Sequence, residues 1–329
     1  MKKIMLTGDR PTGKLHIGHY VGSIKQRLSL KNECKSIFIV ADLHMLTTKN
    51  SKEDIINSKK NARELVRVSL ACGLDMDNCT FYLQSLIPEL NEIYTLFQSL
   101  VGVSRLERIP SLKDMANDAD LDMPFALLGY PILQAADILS VKGEVVPVGK
   151  DNMAHVEVTR EIAIKFNKKY GNVFPVPEAV ISKECSSLPG IDGKNKMSKS
   201  LGNAIYLDDS IEEIRKKVRK MPTDPARIRS DIPGNVSGNL VFTYHDLFND
   251  NIDEVNDLKD QYQKGTVGDA LVKEKLVIAL DKLIGPIRES YDKYSDEMID
   301  EILIEGSKKV REIVKSTLEE MKTAMGFYS

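Results

Sequence analysis

The fold is decided close to the amino terminus, where residues 2–22 read KKIMLTGDRPTGKLHIGHYVG. Residues 2–7 are apolar enough to predict a first β-strand, which Gly8 and Pro11 end. Residues 17–30 then carry the spacing of an amphipathic helix. The opening of the chain therefore predicts a strand, a glycine-containing turn and a helix in direct succession.

The alternation of strand and helix continues through the first two-thirds of the chain. Short β-branched or apolar runs predict further strands, and longer helix-periodic segments separate them. Such alternation predicts a parallel sheet with crossover helices, an α/β fold with a Rossmann-like doubly wound sheet. The later predicted strands are 36–41, 79–86 and 145–148, and the predicted helices between and after them include 52–71, capped by Ser51, and 151–167.

The periodicity becomes almost wholly helical from Asp209 onward, apart from a Gly/Pro/Asn-rich stretch at residues 230–239. We therefore predict three parts. A Rossmann-like catalytic domain takes residues 1–204, and an all-helical domain takes 205–300. A C-terminal helix takes 301–329, with the catalytic domain as its candidate packing partner.

The composition is that of an ordinary enzyme: 42% of the 329 residues are hydrophobic and the net charge is −2. Any contact with nucleic acid must therefore come from local basic patches. The four cysteines, Cys34, Cys72, Cys79 and Cys185, show no CxxC pairing, which is typical of a reducing compartment. We recognise no signal peptide and no run of apolar residues long enough to span a membrane, so we expect a cytoplasmic protein without a membrane partner.

The turn at residues 8–15, GDRPTGKL, nearly matches the phosphate-binding pattern GxxxxGK[ST]. Leu15 stands where a hydroxyl must ligate magnesium, which argues against a P-loop kinase. His16 and His19 follow at the start of the predicted helix, on the side of its free backbone N–H groups. A phosphate chain there would gain those donors and the helix dipole, and Gly18 permits close approach. A surface turn with two solvated histidines is the simpler alternative for the HxxH spacing alone.

A second basic motif, KMSKS, occupies residues 196–200. Glycines at 190, 193 and 202 flank it and predict a loop that moves, as lids do. An exposed basic loop is the simpler alternative, but Met197 and the two serines are unusual in a merely solubilising charge run. Two lysines in such a loop can stabilise negative charge that develops on phosphates.

The stretches GDRPTGKLHIGHYVG and KMSKS, in this order, resemble the HIGH and KMSKS signatures of class I aminoacyl-tRNA synthetases, in the form used by tryptophanyl-tRNA synthetases. The resemblance implies that the catalytic residues are His16, His19, Lys196 and Lys199. It also implies ATP as a substrate that carries its own Mg²⁺, because no clustered carboxylates suggest a dedicated metal site. The implied ATP-binding residues are Gly8, Arg10, Pro11, Thr12, Gly18, His19, Gly149, Lys150, Asp151, Leu188, Lys196, Met197, Ser198, Lys199 and Ser200.

The segment 127–139, LLGYPILQAADIL, predicts a buried helix with one polar stripe. Tyr130, Gln134 and Asp137 form that stripe at positions i, i+4 and i+7. A buried carboxylate is costly unless a donor meets it. Two interpretations are open: a structural network with an arginine or backbone amides, or a pocket in which Asp137 accepts a hydrogen bond from a mostly apolar substrate.

The stretch YPILQAADIL, with VPVGKDNMAHVEVTREIAIKFN after it, resembles the tryptophan pocket of tryptophanyl-tRNA synthetases, where an aspartate at this position accepts the indole N–H. The implied tryptophan-binding residues are Leu6, Tyr130, Gln134, Asp137 and Asn152. Physically, Asp137 would accept a tyrosine hydroxyl equally well, so tyrosyl-tRNA synthetases are the near alternative. The turn GDRPTG and the segment AADIL favour tryptophan.

The chain departs from the family pattern in two places. Residues 149–152 read GKDN where the family usually carries an acidic residue and then Asp-Gln, so Asn152 offers an amide on a shorter arm. No cysteine follows Cys185, and we therefore expect no iron–sulfur cluster of the kind that some relatives hold in the C-terminal domain.

A basic run between residues 211 and 230 is the candidate site for tRNA backbone contact, with a solvated helix face as the ordinary alternative. The resemblance implies that the helical domain at 205–300 binds tRNA at its anticodon. It also implies a homodimer that activates L-tryptophan with ATP and transfers it to tRNA(Trp). A catalytically inactive relative is a further alternative, against which the intact histidines and lysines argue. The candidate tRNA-binding residues are Arg215, Lys216, Arg219 and Lys220.

Overall fold

Five parallel strands in the order β3-β2-β1-β4-β5 form the sheet of the computed structural model, which describes residues 2–118, 123–149, 152–181, 188–199 and 201–328. In the sheet, β2 and β3 lie on one side of β1, and β4 and β5 lie on the other side. A switch point therefore lies between β1 and β4, which confirms the predicted doubly wound α/β class. The strands are β1 (Lys3–Asp9), β2 (Cys34–Val40), β3 (Cys79–Leu83), β4 (Val145–Val148) and β5 (Glu178–Ile181).

The observed elements differ from the predicted ones mainly at their ends and at local distortions. The predicted helix 17–30 is present but includes a π-helical segment, Tyr20–Ile24, and the predicted strand 79–86 ends at Leu83 in a 3₁₀ turn. The helices are α1 (Ile17–His19), α2 (Lys25–Leu30), α3 (Asp42–Met45), α4 (Lys52–Ala71), α5 (Glu89–Gln98), α6 (Val103–Leu106), α7 (Pro110–Asp118), α8 (Phe125–Leu128), α9 (Tyr130–Ser140), α10 (Met153–Tyr170), α11 (Ile211–Arg219), α12 (Leu240–Phe248), α13 (Ile252–Lys264), α14 (Asp269–Tyr291) and α15 (Asp296–Met325).

The predicted buried helix 127–139 is divided at Gly129 into α8 and α9. A Cβ atom at this glycine would lie 2.3 Å from the Tyr94 hydroxyl, so a larger residue here would displace the Tyr94 side chain of α5. The α9 helix then packs between α5 and α10 in the main hydrophobic core. Its burial fixes the direction of the polar stripe that the sequence predicted.

The chain folds as two compact units: Met1–Gly13 with Ser23–Ser186 and Tyr294–Ser329, and Lys14–Gly22 with Ser187–Lys293. The sheet and α15 belong to the first unit, where α15 packs against β3, α4 and α5. The expected boundary at 204/205 falls inside the second unit. Backbone hydrogen bonds explain this difference, because Ile17 N donates to Ile205 O at 2.9 Å and Leu207 N donates to Leu15 O at 3.1 Å. Among the described residues, no helix is long and apolar enough to cross a membrane.

Candidate active site

The turn after β1 is held close to the neighbouring strand. A Cβ atom at Gly8 would lie 2.0 Å from the carbonyl oxygen of Ile39, so only glycine fits there. Two residues further on, Arg10 donates from Nη1 to the Thr48 hydroxyl at 3.2 Å. Pro11 is buried and Thr12 is exposed. The predicted phosphate turn is therefore a fixed feature at the carboxyl end of the central strand.

An ion pair between the buried Arg27 and the partly exposed Asp9, which sequence reasoning missed, lies at the end of β1. The Arg27 side chain on α2 donates to Asp9 Oδ2 at 2.6 Å and to the Gly8 carbonyl oxygen at 3.2 Å, although Arg27 is only 3% exposed. Its guanidinium also lies 5.2 Å from the centroid of the Phe38 ring. The spacing of α2 gave no signal for this pair, because an arginine on an amphipathic helix normally points to solvent.

In the second unit, the two histidines of the HIGH motif pack against each other at the start of α1, with their rings tilted by 46°. Their ring centroids are 3.8 Å apart, and the His16 backbone N–H donates to His19 Nδ1 at 3.1 Å. Because Nδ1 accepts, a neutral His19 ring carries its hydrogen on Nε2. A Cβ at Gly18 would lie 2.9 Å from His16 Nδ1, so glycine at this position leaves room for the His16 ring.

The imidazole of His16 is neutral at physiological pH. It is only 7% exposed, and its burial, followed by the effects of His19, Lys199 and Lys196, lowers its pKa to about 3. A neutral imidazole still has an N–H group with which to donate a hydrogen bond. His16 can therefore bind a phosphate oxygen as a neutral donor, while the nearby positive charge comes from lysines.

The KMSKS loop lies against the HIGH motif within the same unit. Met197 is buried, and its Cβ lies 3.7 Å from the position that a Cβ on Gly18 would occupy. Asn203, a residue that sequence reasoning missed, organises the loop: its Oδ1 accepts from Ser198 N at 2.8 Å, and its Nδ2 donates to Lys196 O at 3.3 Å. The structure therefore brings the predicted histidines and the predicted lysine loop together.

In the first unit, Asp137 is 2% exposed and sits in a network of side-chain donors. His44 Nε2 donates to its Oδ2 at 2.6 Å, and Gln84 Nε2 lies 2.9 Å from Oδ1 and 3.1 Å from Oδ2. The donors are thus neither an arginine nor backbone amides. Sequence reasoning missed both: His44 follows the predicted strand 36–41, but Gln84 lay inside the predicted strand 79–86, which ends at Leu83 in the structure. Both residues follow the carboxyl ends of strands, the edge where α/β proteins bind ligands.

The other two members of the polar stripe meet a second histidine. His155 Nδ1 donates to Gln134 Oε1 at 3.1 Å, and its Nε2 forms a 2.8 Å hydrogen bond with the Ser111 hydroxyl. The Tyr130 ring lies edge-on between two imidazoles, 4.7 Å from the His44 centroid and 5.1 Å from that of His155. Tyr130, Gln134 and Asp137 therefore form one side of a polar cluster within the apolar core. The other side consists of His44, Gln84 and His155.

The remaining predicted residues are more dispersed. Leu6 is buried on β1 and Leu188 is buried before the KMSKS loop. Gly149 O accepts from Asn152 N at 3.1 Å, and Asn152 is the N-cap of α10 without a capping hydrogen bond from its side chain. Lys150, Asp151 and Ser200 lie outside the described residues.

The basic residues of α11 differ in their surroundings. Arg215 pairs with Glu274 at 2.9 Å and with Glu212 at 2.5 Å, so acidic neighbours already compensate its charge. Lys216, Arg219 and Lys220 are exposed. This helix face can contact a phosphate backbone chiefly through those three side chains.

Comparison with known proteins agrees with this arrangement. Residues 2–285 match the family of class I tRNA synthetases (W and Y). A tryptophan–tRNA ligase of Treponema pallidum is 51% identical over 325 residues, covering 98% of this chain and 96% of that protein. The chain belongs to the class I tryptophanyl-tRNA synthetases. A second member of this family, from Borreliella burgdorferi, is also 51% identical, over 99% of this chain and 94% of its own length.

A solved tryptophanyl-tRNA synthetase has the same fold. The Campylobacter jejuni enzyme, crystallised with ADP and tryptophan, superposes with a TM-score of 0.87 at 32% identity. The match covers 98% of this chain and all of that one. The tryptophanyl-tRNA synthetase family is therefore supported by sequence along nearly the whole chain and by fold.

Proposed function

We propose that the protein is a cytoplasmic tryptophan–tRNA ligase. It activates L-tryptophan with ATP to give tryptophanyl-adenylate and pyrophosphate, and then transfers tryptophan to tRNA(Trp). The observation that carries the proposal is the packing of the HIGH histidines against the KMSKS loop, in a chain about half identical to tryptophan–tRNA ligases over nearly its whole length.

The first step forms a bond between a tryptophan carboxylate oxygen and the α-phosphorus of ATP, and breaks the bond from that phosphorus to the bridging oxygen. The electron pair leaves with pyrophosphate. In the second step a ribose hydroxyl of the tRNA attacks the activated carbonyl carbon, and the bond from that carbon to the phosphate oxygen breaks. AMP leaves with the electron pair, and the hydroxyl proton passes to water. Neither step needs a covalent enzyme intermediate, since positioning and charge stabilisation suffice.

His16, His19, Lys196 and Lys199 divide the work on the triphosphate. The histidines donate hydrogen bonds to phosphate oxygens, His16 as a neutral imidazole. The lysines neutralise the charge that builds on the β- and γ-phosphates as pyrophosphate separates. Magnesium enters on ATP and supplies further charge neutralisation there.

Asp137 is the acceptor that distinguishes tryptophan from purely apolar amino acids. It lies in a mostly apolar enclosure together with Tyr130 and Gln134, and its carboxylate retains capacity for a substrate N–H. Phenylalanine would leave that capacity unmet, and such a site rejects the analogue without the donor by roughly 10⁴–10⁵. No editing reaction is then needed.

The partners follow from the family. We propose that the helical part, assigned from sequence to 205–300, contacts tRNA(Trp), with Lys216, Arg219 and Lys220 on its phosphate backbone. We also propose that two copies of the chain act as a homodimer. Both proposals are independent of the activation chemistry: if either is wrong, the proposed activation of tryptophan still stands.

Amino-acid-dependent ATP–pyrophosphate exchange, run with each of the twenty amino acids, tests the proposal. Tryptophan should support exchange at least about a thousandfold better than phenylalanine. Charging of tRNA(Trp) transcript should then proceed with tryptophan alone. Exchange that depends on tyrosine would identify the tyrosyl enzyme. If none of the twenty amino acids supports exchange, the protein is an inactive relative.

A further inference from the structure

We propose that Gln84 is a positioning residue that makes Asp137 selective for an N–H group, an inference that rests on the proposed tryptophan activation. Gln84 lies just past the carboxyl end of β3, in the 3₁₀ turn Gln84–Leu86, and is fully buried. Its amide nitrogen contacts Asp137, and we infer that it acts on the substrate through that carboxylate.

Both the oxygen and the nitrogen of the Gln84 side-chain amide form hydrogen bonds. Its Oε1 accepts from the backbone N–H groups of Leu43 at 3.1 Å and His44 at 3.3 Å, at the start of α3. These partners are donors only, so the amide oxygen must face them and the amide nitrogen must face Asp137. The orientation of the amide is thereby decided by the backbone of a neighbouring element.

The amide nitrogen in turn fixes the carboxylate. Gln84 Nε2 lies 2.9 Å from one Asp137 oxygen and 3.1 Å from the other, which holds the carboxylate plane against rotation. His44 Nε2 takes a further position on Oδ2 at 2.6 Å. An ionised carboxylate has about four acceptor positions. The amide and the imidazole together occupy about three, so a substrate donor meets one remaining position with a set direction.

A purely structural role for Gln84 makes a different prediction. If the amide only tied α3 to the end of β3, its loss would impair every amino-acid substrate alike. If it orients the acceptor, its loss harms only a substrate that donates to Asp137. The pair tryptophan and β-(3-benzothienyl)alanine separates the two roles, since sulfur replaces the indole N–H in a ring of nearly the same shape.

The decisive measurement is the ratio of kcat/KM for the two amino acids in pyrophosphate exchange, with the analogue also measured as a competitive inhibitor. Wild-type protein should prefer tryptophan by at least about tenfold. Gln84→Met should lower kcat/KM for tryptophan about tenfold to a hundredfold. The value for the analogue and the KM for ATP should change by less than about threefold.

The chain offers a matched control in Gln26, a half-buried glutamine on α2. Its amide donates to the Val180 carbonyl oxygen at 2.9 Å in the same unit, away from Asp137. Gln26→Met removes a comparable hydrogen bond and should leave the preference for tryptophan unchanged. A loss of preference in this control as well would overturn the proposal.

Gln84→Glu keeps the result interpretable if the methionine variant does not fold. Glutamate retains an acceptor for the Leu43 and His44 N–H groups but faces Asp137 with a second carboxyl group, which can remain there only by sharing a proton. Tryptophan preference should then fall as pH rises and that proton is lost. Equal losses for tryptophan and the analogue, or an unchanged preference in both Gln84 variants, would overturn the proposal, whereas absence of tryptophan-dependent exchange in wild type would overturn the proposed function itself.

Discussion

His16 shows at the scale of one residue how burial selects a protonation state. Its folded-state pKa is about 3, while an unfolded histidine titrates near 6.5. Below about pH 6.5 the His16 imidazole is protonated in the unfolded chain but stays neutral in the folded chain. The contribution of His16 to the free energy of unfolding is therefore fully present above about pH 6.5. It falls by about 1.4 kcal/mol for each pH unit below that value.

This titration predicts a difference between the wild-type protein and His16→Gln. Between about pH 7.5 and pH 5 the free energy of unfolding of the wild type should fall by about 2 kcal/mol more than that of the variant. Urea denaturation at both pH values measures the difference. Parallel pH profiles would show that His16 is protonated in the folded protein.

Lys199 should act on the chemistry and leave amino-acid binding intact. Lys199→Ala should slow formation of the adenylate by roughly 10²–10³, as expected when one stabilising charge is removed from a transition state. Stopped-flow single turnover gives this rate, and equilibrium dialysis gives the affinity for tryptophan. Lys194→Ala, an exposed lysine of the same loop, is the control and should change neither. A parallel loss of rate and affinity in Lys199→Ala would instead indicate a misfolded loop.

At the scale of secondary-structure elements, α15 lies directly on the edge strand β3. A Cβ atom at Gly306 would lie 1.8 Å from the Phe81 carbonyl oxygen, so the helix can approach only because this residue is glycine. Gly306→Ala should lower the free energy of unfolding by about 3 kcal/mol, as overpacking does.

Gly22, in the π-helical segment Tyr20–Ile24, provides the control for that substitution. Among the described residues, no heavy atom outside its own helix backbone and chain neighbours lies within 4 Å of a Cβ there, so alanine fits without displacement. Gly22→Ala should be neutral or stabilise by up to about 1 kcal/mol, the helix propensity difference. Chemical denaturation of both variants tests the pair, and equal effects would contradict the close contact of α15 with β3.

The ion pair between α2 and Asp9, the last residue of β1, is a second element-scale constraint. Arg27→Met leaves the partly exposed Asp9 without its partner and should destabilise the protein by about 1–3 kcal/mol. The double variant Asp9→Leu/Arg27→Met removes the unpaired charge and should recover at least about half of the loss. Thermal and urea denaturation provide the double-mutant cycle. Strict additivity of the two changes would mean that the pair contributes nothing.

At the scale of the whole molecule, activation of tryptophan and recognition of tRNA should be separable. Lys216→Glu combined with Lys220→Glu should raise the KM for tRNA(Trp) about tenfold or more, because each lysine neutralises a phosphate. Pyrophosphate exchange, which involves no tRNA, should be unchanged. Lys60→Glu on α4 is the control for an exposed lysine elsewhere. A fall in exchange, or unchanged charging, would contradict the placement of tRNA on α11.

Much of the site was predictable because its signals are local. His16 and His19 occupy one helical turn, and Lys196 to Lys199 occupy one loop, so their chemistry is visible in adjacent letters. Asn203 and Arg27 gave no such signal. Their importance depends on backbone atoms and charges that come near them only in the folded chain.

The sequence by itself determined the class of the fold and the positions of its first four strands along the chain, and it predicted the two phosphate-binding motifs, because period and spacing are properties of short segments. Tertiary structure alone decided what meets Asp137. His44 and Gln84 lie 93 and 53 positions from it along the chain. They reach one carboxylate because β2 and β3 are neighbours whose carboxyl ends share an edge. The buried acceptor was predictable from an apolar helix, but its donors depend on the order of strands in the sheet.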